Sequence, residues 1–255
     1  MIKLIGDYHT HTIYSSGYRK KGNHATGTIR DNAEAALSRG LKEIAITEHG
    51  PSHYLYGVRA NRIPNMREEI NRLNEEFIPK GLRILLGIEA NLIGLDGTID
   101  ADERILKYID ILLMGYHYGA MPKSIVDGIG LYIMSPLSKV LKVGSERSKE
   151  IMTKAYTKAI GKYPIYLITH PGSKAKVDIV ELAKEASKKN VALEISAKHS
   201  QLSAESLRLI SHVDVKLMVN SDAHRPQDVG KVGEAIKKAK LANINLNRIV
   251  NIEIN

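Results

Sequence analysis

Cysteine and tryptophan are absent from this 255-residue chain, and phenylalanine occurs once. Without thiols there is no disulfide framework, and any metal must be held by nitrogen and oxygen donors, which suits zinc, manganese or iron. With aromatics at 5%, nearly all of them tyrosine, a dedicated base-stacking platform is not evident. No apolar run is long enough to span a bilayer, so no membrane partner is expected. No Pro/Gly/Ser-rich linker, charge block or fixed-period repeat divides the chain, and residues 1–255 are expected to form one domain with a sizeable core. A strand begins at once and reaches functional-looking histidines by His9, leaving no room for a signal peptide. A soluble, cytoplasmic protein is the expectation.

What is abundant is positive charge. Thirty-seven Lys and Arg against 28 Asp and Glu give a formal +9, which favours anionic partners such as phosphorylated metabolites or nucleic acid. Ten histidines are present, and their placement matters more than their number.

Seven strand-helix units can be read along the chain. Ile2 to His11 reads as one strand, and Thr28 with Asp31 marks a helix start. Glu43–Thr47, Arg83–Glu89, Ile109–Met114, Ile165–Thr169, Val191–Ile195 and Val215–Val219 read as short buried strands, separated by helical segments. Asp100 with Glu103 suggests another helix start, and Arg248 to Ile254 a closing strand. Strands alternating with helices imply a parallel sheet with right-handed crossovers. Residues 118–144 fit no pattern and suggest either a lid or substrate-choosing insertion, or a packed surface subdomain.

The polar residues decide between a barrel and an open sheet. His9, His11, His49, Glu89, His117, His170, Asp222 and His224 all lie at or just after the C-terminal ends of expected strands, as at the catalytic mouth of a barrel. His24 in the first loop makes nine candidate ligands, too many for one ion. Three divalent ions offset by Glu89 and Asp222 would leave a site charge of about +4, which calls for a polyanion such as a phosphate monoester.

These residues resemble the polymerase and histidinol phosphatase (PHP) family along nearly the whole chain. The motifs are His9-Thr-His11, Thr47-Glu-His49-Gly-Pro51, Gly87-Ile-Glu89-Ala-Asn91, His170-Pro-Gly172, Ala192-Leu-Glu194-Ile195 and Ser221-Asp-Ala-His224, most similar to the stand-alone phosphatase branch with a trinuclear site. The resemblance implies an α/β fold, a distorted (β/α)7 barrel. It also implies that His9, His11, Glu89 and Asp222 hold one metal, that Glu89 bridges to a second on His117 and His170, and that His24, His49 and His224 hold a third.

The function expected is hydrolysis of a phosphate monoester by metal-activated hydroxide, with zinc the first choice of metal and histidinol phosphate one member of the substrate class. His53 and His199 could protonate a leaving group. Arg59, Arg62, Lys198 and Arg225 are candidate phosphate clamps, while Arg19, Lys20 and Lys21 could meet a phosphate or be solvated. Asp7 and Glu48 could orient ligands or serve as strand-end acceptors. The alternatives are a nuclease or phosphodiesterase using the same metals, and a non-catalytic, metal-stabilised binding module.

Overall fold

The strand pattern is realised as a parallel barrel. A computed structural model describes residues 2–17, 24–133 and 145–254. Seven strands, β2 (Gly6–Thr10), β3 (Glu43–His49), β4 (Arg83–Asn91), β5 (Ile111–Gly115), β6 (Leu167–Ile168), β7 (Ala192–Ser196) and β8 (Leu217–Asn220), pair in chain order. All six ladders are parallel. The two edges nearly meet: Thr10 bridges Ala223, with the His11 amide donating to the Ala223 carbonyl at 2.8 Å. The result is a single-domain distorted (β/α)7 barrel, as the sequence predicts.

The two-residue period of a strand builds the interior in layers. One side chain from each strand forms an apolar floor: Tyr8, Ala45, Leu85, Leu113, Leu167, Ala192 and Met218. Two residues further along come Thr47, Gly87, Gly115, Thr169, Glu194 and Asn220, and beyond them His49, Glu89, His117 and Asp222. The intervening residues, such as Ile44, Ile46, Leu86, Ile88, Met114 and Val219, face outward and pack in the main core with the helices. Burial on both faces explains why these strands read as continuous apolar runs.

The first strand departs from this rule. Asp7 pairs with Ile44 and Thr10 with Ile46, so one extra residue is accommodated between them. That bulge lets the adjacent Tyr8 and His9 both serve the interior, Tyr8 in the floor and His9 at the rim.

Helices cover the outside. Thr28 and Asp31 form the expected capping box for Ile29–Ser38, and Ser203 caps Ala204–Leu209 through the Ser206 amide. Three expectations are corrected. The strand expected over Ile2–His11 is interrupted at Ile5, whose amide turns to the Asn251 carbonyl. Its first part, β1 (Ile2–Leu4), pairs antiparallel with β9 (Ile252–Ile254) in a separate ribbon, so the C-terminal strand does not close the barrel. The cap of helix Glu103–Leu106 is Asp102 rather than Asp100, because Asp100 is engaged by the Asn91 and Ser52 amides instead.

Within the expected 118–144 insertion, Ser124 caps a single turn, Ile125–Gly128, followed by a wider turn over Ile129–Ile133. Residues 134–144 lie outside the described residues, as do Arg19, Lys20 and Lys21.

Candidate metal centre

All nine candidate ligands converge at the C-terminal mouth of the barrel. His9 Nε2 and His11 Nε2 stand 3.3 and 3.7 Å from Glu89 Oε2, and 3.7 and 3.4 Å from Asp222 Oδ1. Four donors around one ion at about 2.1 Å in a tetrahedral shell lie about 3.4 Å from each other, so this group has the spacing of a coordination shell. The other oxygen of Glu89, Oε1, is 3.4 Å from His117 Nε2 and 2.9 Å from His170 Nε2. On the opposite side His24 Nε2 is 3.0 Å from the Nε2 atoms of both His49 and His224. His49 faces both ways, its Nδ1 lying 2.9 Å from Glu89 Oε2.

Several of these atoms are buried without a hydrogen-bond partner: His9 Nε2, His11 Nε2, His49 Nδ1, His117 Nε2 and Glu89 Oε2. Buried polar atoms are rarely left unsatisfied, and here the orphans point at one another across a common centre. Divalent metal binding is the chemistry that satisfies imidazole lone pairs and carboxylate oxygens together.

Protonation supports the same reading. Burial lowers the pKa of His11, His49, His170 and His224, and brings His24 down to about 3. Burial opposes ionisation of Glu89 and Asp222, yet His117 and His9 beside the first, and His9 and His11 beside the second, hold both well below the carboxylate range. Neutral imidazoles and ionised carboxylates are what a divalent ion requires. His9 is the exception, since burial depresses it while Glu194, Glu89 and Asp222 push it well above its ordinary value. Its surroundings demand positive charge, which a proton or a metal ion on Nε2 can supply.

The candidate ligands are held from behind. Glu194 Oε1 lies 2.8 Å from His9 Nδ1, and its other oxygen accepts the His170 amide at 2.7 Å. Asn91 Oδ1 is 2.8 Å from His117 Nδ1, and the Asn91 amide nitrogen donates to Asp100 at 2.6 Å. His170 and Asp222 have positive φ, 27° and 52°, a strained conformation for residues other than glycine that re-aims each side chain at the centre. Glu48 reaches His11 only through Ser15, whose hydroxyl donates to Glu48 and lies 3.4 Å from His11 Nδ1. Asp7 contacts no imidazole; it accepts from Ser221 and Gly230 and ties β2 to the segment after β8.

The remaining candidates divide. A cavity of about 320 Å³ opens above the candidate ligands, lined also by His53, Lys198 and His199. His199 Nε2 is 3.1 Å from Asp222 Oδ2. Both nitrogens of His53 are occupied by backbone, one at 2.9 Å from the Tyr118 carbonyl and the other accepting from the Tyr56 amide at 3.1 Å. Arg59, Arg62 and Arg225 are not among the described residues lining the cavity; Arg59 donates to the Gly17 carbonyl instead. Lys174, Tyr56 and Tyr118 do line it, though none stood out in the sequence. Glu194 and Asn91 stand in the quoted motifs without an assigned role, although an acid inside an apolar strand is the same signal that singled out Glu89.

The family profile described as PHP domain matches residues 7–246. The chain belongs to the PHP domain family. Among curated relatives of this PHP chain, a probable phosphatase of Thermoanaerobacter sp. is 32% identical over 99% of the chain and 92% of its own length. A probable phosphatase of Shewanella piezotolerans is 28% identical over 98% and 90%. Among solved structures, a histidinol phosphate phosphatase from Lactococcus lactis, complexed with zinc, L-histidinol and phosphate, shares the fold with a TM-score of 0.61 and 16% identity, covering 94% of this chain and 93% of that one.

Proposed function

We propose that this PHP protein is a metal-dependent phosphoesterase that hydrolyses phosphate monoesters of small metabolites. The observation that carries the reading is the meeting of His9, His11, Glu89 and Asp222 at coordination spacing, with unsatisfied buried atoms on three of the four. The hydrolase class agrees with relatives named as phosphatases along almost the whole chain.

In this reading His9, His11, Glu89 and Asp222 would hold one divalent ion, Glu89 with His117 and His170 would hold a second, and His24, His49 and His224 would hold a third. Zinc suits the nitrogen-rich donor set best, and manganese or iron would also be accepted. Bound there, such ions neutralise phosphate oxygens, lower the pKa of coordinated water and stabilise the leaving oxygen.

The chain's own groups supply the rest. Glu194 and Asn91 fix the rings of His9 and His117 from behind, so that their Nε2 lone pairs stay aimed at the centre. Lys198 Nζ, 3.7 Å from Asp222 Oδ2 and 3.0 Å from His224 Nδ1, brings a cation to the side where phosphate would sit. His199, whose two nitrogens meet side chains, Asp222 and the Ser173 hydroxyl, is placed to pass a proton to the leaving group, whereas both nitrogens of His53 are held by backbone.

The basic charge makes nucleic-acid phosphodiesters the competing reading. A cavity of about 320 Å³ favours a small molecule. The test is a side-by-side assay of p-nitrophenyl phosphate and a short oligonucleotide. Hydrolysis of the monoester with little cleavage of the oligonucleotide is expected, and the reverse would overturn the proposal.

A further inference from the structure

Helix Gly233–Leu241 packs against β7 and β8 and buries Ala235 and Ala239 fully. Lys238 shares that face, three residues after one alanine and directly before the other. Its neighbours Lys237 and Lys240 are exposed, whereas Lys238 is partly buried. A lysine on the inward side of a helix is costly unless its ammonium finds acceptors. Here Lys238 Nζ donates to the Ser196 carbonyl at 2.8 Å and also to the His199 carbonyl.

Those two carbonyls bracket the turn that follows β7. Within it the Ser196 hydroxyl oxygen accepts the amides of Lys198 and His199 at 3.2 and 3.1 Å, and the Ala197 amide donates to the Asn220 carbonyl at 3.0 Å. The turn is thus closed from inside by Ser196 and clamped across its ends by one ammonium. It carries both Lys198, beside Asp222 and His224, and His199, whose nitrogens meet Asp222 and the Ser173 hydroxyl. Lys238 itself is not among the described residues that line the cavity. A displacement of about 1 Å at a reacting group can cost about a hundredfold in rate, so what fixes this turn matters to the chemistry.

We propose that Lys238 is a positioning residue, whose ammonium holds the 196–199 turn so that His199 meets the leaving oxygen of the substrate. This rests on the phosphomonoesterase reading above and adds a residue to that site. As the oxygen of water bonds to phosphorus, the ester P–O bond breaks and the leaving oxygen keeps its electron pair. A proton from His199 converts that oxygen to the alcohol, and the proton released by the water restores His199.

The test compares p-nitrophenyl phosphate, whose leaving group departs without a proton, with ethyl phosphate, whose leaving group needs one. Both are assayed on the wild-type holoenzyme, Lys238→Met and Ser196→Ala. In Lys238→Met, kcat for ethyl phosphate should fall about tenfold more than kcat for the p-nitrophenyl ester. Elemental analysis should show as many ions per chain as in the wild type. Ser196→Ala loosens the same turn from inside, carries the same prediction, and stands in if Lys238→Met does not fold. In a His199→Gln background, Lys238→Met should shift the ratio of the two rates no further, because the two residues act through one proton. An unchanged ratio, an equal loss on both esters, a loss of bound ions or a further shift in the His199→Gln background would overturn the inference and leave the phosphatase reading intact. So would a wild type that turns over only the p-nitrophenyl ester, since no proton would then be delivered. If the wild type hydrolysed neither ester, the phosphatase reading itself would fail, and this inference with it.

Discussion

Glu194 joins two candidate ligands: one oxygen lies 2.8 Å from His9 Nδ1 and the other accepts the His170 amide at 2.7 Å. Asn220 donates to the same carboxylate at 3.1 Å, and the group is fully buried. An acid behind an imidazole fixes its tautomer and raises its basicity toward a metal. Glu194→Gln keeps the shape and removes the charge, so metal affinity should fall by about 10- to 100-fold. Competition with a chromophoric chelator measures this directly, and unchanged affinity would remove Glu194 from the metal-holding apparatus.

Gly115 leaves room that the site needs. A Cβ built there would fall 2.5 Å from Thr169 Oγ1, 3.0 Å from the His117 ring and 3.1 Å from Glu89 Oε1. Gly115→Ala should therefore cost about 2 kcal/mol of stability through overpacking. It should also lower kcat by about a hundredfold, because Glu89 and His117 are displaced together. Thermal melts and p-nitrophenyl phosphate kinetics give the two values separately.

Glu48 offers a pH test of the fold. Burial raises its pKa to about 7, against hydrogen bonds from Ser15 and Thr12. Between the ordinary glutamate value and 7 the native state then binds more protons than the unfolded state, so this group makes stability fall as pH rises. Glu48→Gln preserves the shape and cannot ionise. In chelator, the variant should match the wild type near pH 4 and gain on it up to pH 7, by up to about 3 kcal/mol, then hold level. Urea denaturation across pH measures the difference; a constant offset would show that Glu48 ionises normally.

Much of the site is legible in the sequence because strand geometry is periodic. Residues such as His49 and Glu89, which end apolar strands, must either point into the barrel mouth or be buried without partners, and register pairs these two side by side. The bulge at Tyr8 and His9 is not legible, since a strand's pattern does not reveal an extra residue in its partner ladder. Charge is visible in a sequence but its direction is not, which is why Arg59, Arg62 and Arg225 resembled Lys198 and yet do not reach the lining. Asp100 illustrates the same limit: cap chemistry fits it, but the Asn91 and Ser52 amides claim it first.

The central claim is that histidines and acids from six of the seven strands and their loops hold cations that promote hydrolysis of a phosphate monoester. The direct measurement is to strip the protein of metal, verify the removal by elemental analysis, and titrate zinc or manganese back while following p-nitrophenyl phosphate hydrolysis against ions bound per chain. Turnover should be absent at the start and rise with occupancy toward three ions. Undiminished turnover in the verified metal-free protein would contradict the account.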